Sequence, residues 1–185
     1  MAENMKFELL AKSIKDINVK AGNVAKSAVN QLMTLRNWAI GYYIVEYEQG
    51  GSDKAKYGSH LLKNLENQIS EKGMNSTLFK WCRQFYLLYP QIGTTVSNQF
   101  ELPGFEKSAT ASHEFITQPE VLINNLSFSH LREIMIIDDA FERFFYETEC
   151  IKCNWSVREL RRQIKTNLYV RAGISKEPEL LIHPS

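Results

Sequence analysis

Few side chains in this sequence stand at spacings that chemistry requires. Cys150-Ile151-Lys152-Cys153 has the CxxC spacing of a zinc or redox pair, but it falls inside a helical pattern, without a second pair or evident completing ligands. The histidines are dispersed at 60, 113, 130 and 183; His130, beside Ser129 near a helix start, reads as a cap or core hydrogen bond rather than a base. Gly50-Gly51 and Gly73 form no phosphate-gripping loop of the Walker or Rossmann type. Metal-dependent phosphodiester hydrolysis needs carboxylates around a cation, because water must be activated while charge develops on phosphorus. Acidic residues abound, yet no Glu-x-Lys or Asp-x-Lys occurs anywhere. Hydrolysis by this polypeptide alone is not expected, and the reading is a non-enzyme with no cofactor and no metal.

What remains is charge. From Ser127 to Cys150 the local balance is minus four, and from Trp155 to Ala172 it is plus four, so the overall +1 hides a separation. With Val157 at zero on a helical wheel, Leu160, Ile164 and Leu168 lie on one side, and Arg158, Arg161, Arg162 and Lys165 form a basic shoulder. Cations on one face can release counterions and dock a helix on a duplex. They can equally pair with the acidic helix before them. A second candidate face carries Lys80, Arg83 and Gln84, opposite an apolar stripe of Leu78, Trp81, Cys82, Phe85 and Leu88.

These faces require helices, and the punctuation supplies them. From Asn23 to about Gln49 apolar residues recur at spacings of three and four, including Leu32, Leu35, Ala39 and Tyr42, and Gly50-Gly51 ends the run. Ser52 or Asp53 can cap a segment reaching Glu71 with a stripe of Leu61, Leu62, Leu65 and Ile69. Asn75 or Ser76 starts a third helix that Pro90 stops, and the short 71–76 connection permits a helix-turn-helix. Later helices are expected at Ser129–Ile137, Ala140–Lys152 and Ser156–Arg171, the last opened by a Ser156/Glu159 capping box.

The organisation is therefore an arm or short helix at 1–22, a first helical group at 23–90, an irregular connection at 91–125, a second group at 126–173 and a tail at 174–185. The fold class is mainly α, a multi-helix bundle. The apolar fraction of 44% in 185 residues allows one well-buried core, and most of the aromatic residues, among them Trp38, Trp81, Trp155 and Phe145, are assigned to it. No apolar run suggests a membrane span, and three cysteines without a secretory leader fit a reducing cytoplasm.

Several strings in order, Arg36-Asn37, Ile40 through Gln49, Tyr57-Gly58, Arg83-Gln84-Phe85-Tyr86, Leu126 through His130, Phe145-Tyr146 and Asn154 through Leu160, resemble the N-terminal domain of the DUF1016 family over about Val29 to Gly173. Longer members of that family resemble the YhcG type and carry a C-terminal PD-(D/E)xK nuclease-like domain, which this chain is expected to lack. The resemblance implies a helix-turn-helix or winged-helix-like element and a DNA-binding or complex-organising role, and it brings no catalytic residue to this chain. The expected partner is duplex DNA, held by Lys80, Arg83, Gln84, Arg158, Arg161, Arg162 and Lys165. The alternative is a protein-interaction or dimerisation module, with a homo-oligomer or a nuclease domain as partner.

Overall fold

The computed structural model describes residues 7–50, 60–101, 103 and 117–173. The expected cap at Ser52 or Asp53, the Tyr57-Gly58 pair and the 174–185 tail lie outside the described residues. Among the described residues every regular element is helical: α1 (Phe7–Gly50), α2 (Leu61–Ile69), α3 (Ser76–Leu88), α4 (Gly93–Ser97), α5 (Pro119–Asn125), α6 (Phe128–Ile134), α7 (Ala140–Lys152), α8 (Val157–Lys165) and α9 (Leu168–Arg171), with a 3-10 turn at Pro90–Ile92. The protein is a mainly α-helical bundle. No strand occurs among those residues, so a β wing is not among them, and 104–116, within the expected irregular connection, lie outside the described residues. No described helix is long and apolar enough to cross a membrane.

α1 is one continuous helix of 44 residues where a 1–22 arm and a later helix were expected. Only its C-terminal third enters the core. Leu35, Trp38, Ala39, Tyr42, Ile44 and Val45 are buried there against α3, and Gly41 sits at the crossing. A Cβ on Gly41 would lie 2.0 Å from the Cys82 carbonyl oxygen, so the two backbones touch only because the side chain is absent. The Trp38 indole N–H donates to the Tyr89 carbonyl at 2.8 Å, giving a fully buried ring its polar partner.

The cap at Asn75 is one that the sequence suggests, and the cap at Asp139 is an addition to it. Asn75 Oδ1 accepts from the Leu78 N–H and Asp139 Oδ1 from the Glu142 N–H, each at 2.8 Å. α3 buries Phe79, Cys82 and Phe85 rather than a stripe centred on Leu78, because Phe79 joins Ile44 and Leu61 in a second small core with α2. Between α1 and α2 a cleft of 660 Å³ stays open, lined by Ile40, Tyr43, Tyr47, Leu65, Ile69 and Phe79.

Two departures from expectation have tertiary causes. The described ends of the 91–125 connection are helical, and Ile92, Val96, Leu122 and Ile123 from them are core residues. The expected helix Ser156–Arg171 is split at Asn167, whose φ of 57° is left-handed, a conformation asparagine tolerates. The break turns Tyr169 inward, where its ring lies 5.4 Å from that of Phe145 and its N–H donates to the Tyr146 hydroxyl at 3.4 Å.

Candidate nucleic-acid interface

α7 and α8 are joined by the four residues Cys153, Asn154, Trp155 and Ser156, a connection shorter than the 70–75 link between α2 and α3. Asn154 makes the turn at a φ of 49°, and the Trp155 N–H donates to the Cys150 carbonyl at 3.0 Å. Ser156 Oγ then caps α8 by accepting from the Glu159 N–H at 3.2 Å. The Glu159 carboxylate turns forward along the helix and accepts from Arg162 at 2.6 and 3.0 Å and from Gln163 at 2.7 Å.

α8 has two unlike sides. Leu160 is fully buried and Val157 and Ile164 are half-buried against α6 and α7. Arg158, Arg161, Arg162 and Lys165 are all exposed, and their spacing of i, i+3, i+4 and i+7 sets them in one stripe spanning about 10 Å along the axis.

α6 fixes the position of this helix at two points. The His130 ring Nε2 donates to the Trp155 carbonyl at 3.1 Å, which requires the proton on Nε2 and leaves Nδ1 to accept from the Ser127 N–H at 3.2 Å. Burial pushes the His130 pKa down, in keeping with a neutral ring. One turn on, Glu133 accepts a bidentate pair from Arg161 at 2.6 and 3.1 Å. That pair holds the Glu133 carboxyl below the usual carboxylate range, and the bonds from Arg162 and Gln163 do the same to Glu159.

The arginines in these pairs remain accessible, with Arg161 and Arg162 side chains 64% and 63% exposed. Solvent screens exposed ion pairs strongly, so either guanidinium can turn to a stronger anion at little cost. Arg158 and Lys165 take no ion-pair or hydrogen-bond partner among the described residues. The separation of charge in the sequence is thus only partly cancelled in space, through Arg161 on Glu133.

The three residues proposed on α3 divide. Lys80 is exposed with no such partner among the described residues. Arg83 donates to Glu48 of α1 at 2.7 Å, and Gln84 donates to the Met135 carbonyl at the end of α6 at 2.8 Å. Both side chains tie α3 to its neighbours, and a groove contact by either requires those bonds to open. Arg132 of α6, outside the set chosen from sequence, lies 5.0 Å above the Trp81 ring and links α3 to α6 as a cation–π contact. No sequence signal singled it out, since a lone arginine in an acidic stretch carries none.

Cys82, Cys150 and Cys153 are free thiols; burial raises Cys82 to about 12 and Cys150 to about 11, which leaves both unreactive at neutral pH. Among the described residues no three His, Cys, Asp or Glu side chains group so as to hold a metal ion.

The chain matches the DUF1016 N-terminal domain over residues 13–171. It is similar to a protein of Escherichia coli (strain K12) named "Putative nuclease YhcG", with 32% identity over 163 residues. That stretch is 84% of this chain and 44% of the relative, so the chain spans less than half the length of the protein it matches. No solved structure matches. With the family model covering most of the residues that build the helical bundle and its basic stripe, the chain belongs to the DUF1016 N-terminal domain family.

Proposed function

We propose that this chain is a non-catalytic duplex-DNA-binding module of a nuclease-associated protein, with α8 as the helix presented to DNA and α7, the 153–156 turn and α6 as its support. The carrying observation is the exposed stripe Arg158, Arg161, Arg162 and Lys165 on a helix whose other side is packed. Its four cations lie within about 10 Å of one another along the axis, close enough to engage neighbouring phosphates of one duplex together. Lys80 on α3 and Arg132 on α6 add cations on neighbouring helices, and the free thiols fit a reducing, cytoplasmic setting. Because the relative, of which this stretch is 44%, carries the name "Putative nuclease YhcG", the module's role in this reading is to hold DNA for chemistry performed elsewhere in such proteins.

The test is charge reversal at residues whose side chains bond to no other helix among the described residues. Arg158→Glu/Arg162→Glu/Lys165→Glu is expected to lower affinity for a fluorescent duplex by at least about 100-fold at low salt, about 1 kcal/mol per contact, while the helical circular dichroism and melting curve persist. Retention of wild-type affinity by the folded variant contradicts the assignment.

A further inference from the structure

Residues 7–30 of α1 are exposed, half-buried Ser13 excepted, and the body first touches the helix with Gln31, which donates to Asn124 at 3.2 Å. About 36 Å of helix therefore runs exposed, without a hydrogen bond to another element among the described residues. Its exposed residues are not those of a solvated rod. Phe7, Leu10, Ile14, Ile17 and Val24 are 43% to 81% exposed, and together with Ala21 and Ala28 they recur at alternating steps of three and four over three heptads. The same phase runs on through Leu35, Trp38, Tyr42 and Val45, the side chains that α1 buries in its own core. A strict seven-residue repeat selects a supercoiling helix of the same period as its partner. A copy of this chain carries one.

We propose that residues 7–24 pair with the same segment of a second copy as an antiparallel two-stranded coiled coil. The orientation follows from side-chain volume. In the antiparallel register that places Ile14 against Ile17 of the second copy, Leu10 meets Ala21 and Phe7 meets Val24, so the larger side chains meet smaller ones in these two layers and like-sized isoleucines fill the third. A parallel pair stacks Phe7 on Phe7 and leaves a void between two Ala21 methyls. The flanking positions are Ala11, Asn18 and Ala25 on one side and Ser13, Lys20 and Ser27 on the other, so Lys20 is the only charge there, and it lies level with Ala11 of the second copy. Full burial of a Val, Leu, Ile or Phe side chain removes roughly 60–120 Å² of apolar surface, which brings the pair to on the order of 1,000 Å², the lower edge of specific interfaces and consistent with micromolar self-association.

Sedimentation equilibrium of the intact chain over a micromolar concentration series is expected to move from 21.4 kDa toward twice that mass. Ile14→Asp/Ile17→Asp is expected to remain monomeric with an unchanged melting curve, because neither side chain touches the body, and Val19→Asp, off the seam, to dimerise as the wild type does. For orientation, Leu10→Cys and Ala21→Cys are made separately in a Cys153→Ser background. Oxidation of their mixture is expected to give a disulfide-linked dimer that neither gives alone. A wild-type chain that stays monomeric, an Ile14→Asp/Ile17→Asp variant that still dimerises, or a covalent dimer from Leu10→Cys alone overturns the proposal.

Discussion

The imidazole of His130 on α6 donates to the carbonyl of Trp155, 25 residues later and two residues before α8, at 3.1 Å. One ring thereby joins the start of one helix to the turn that aims the basic helix, and it serves both ends only when neutral. Its folded pKa is depressed by burial, so the stability it supplies is complete above the ordinary imidazole value of 6.5 and is lost as pH falls through the lower folded value. His130→Ala is expected to cost about 1–2 kcal/mol at neutral pH and to narrow that gap under acid conditions. Urea unfolding of both proteins above and below the imidazole range measures the difference; a gap that widens on acidification contradicts this sign.

Glu147 runs the other way. It is buried, and accepts from the Tyr89 hydroxyl and the Thr117 hydroxyl, both at 2.6 Å. Burial raises its pKa despite these bonds, so its contribution is fully present below the ordinary carboxylate value and declines as pH rises through the folded one. Glu147→Gln is expected to remove this decline. Stability of the wild type relative to that variant, followed by thermal melting from acid to neutral pH, falls as pH rises.

Two glycines on one helix give opposite outcomes. Gly41→Ala places a methyl 2.0 Å from the Cys82 carbonyl oxygen, and the cost is about 3 kcal/mol or more because backbone must move. Gly22 has no atom within 4 Å of the added Cβ, so Gly22→Ala stabilises helix by up to about 1 kcal/mol. Equilibrium unfolding separates the first, and helical ellipticity reports the second.

The two sides of α8 are separable in the same way. Leu160→Ala is expected to cost about 2–5 kcal/mol, while Arg158→Glu and Lys165→Glu stay within about 0.5 kcal/mol of wild type in urea unfolding. A large stability loss from either charge reversal means that the stripe is structural.

What the sequence conveyed depended on local chemistry. The bounds of α7 agree residue for residue with the apolar run behind Asp139, and Asn75 and Pro90 delimit α3, because caps and breakers act within one turn. α1 is harder: its outer seam uses alanine at two of seven positions, which weakens the periodic signal, so the helical residues from Phe7 to Gly22 read as an arm or short helix. α4 and α5 are short, and they are held by Ile92, Val96 and Leu122 in contacts that only the folded chain provides. The basic stripe of α8 was visible because a helix packed on one side obeys a simple wheel. The same wheel sets Arg83 and Gln84 on a free face, because it takes no account of the neighbouring helices that offer Glu48 and the Met135 carbonyl.

The most direct measurement is fluorescence anisotropy of duplex DNA with the wild-type chain and Arg158→Glu/Lys165→Glu across a salt series. Four phosphate contacts on α8 predict that log affinity falls against log salt with a slope of about −3 to −4, and that the variant's slope is shallower by about two. Absence of saturable binding at low salt, or equal slopes for the two proteins, contradicts the assignment of α8 to DNA.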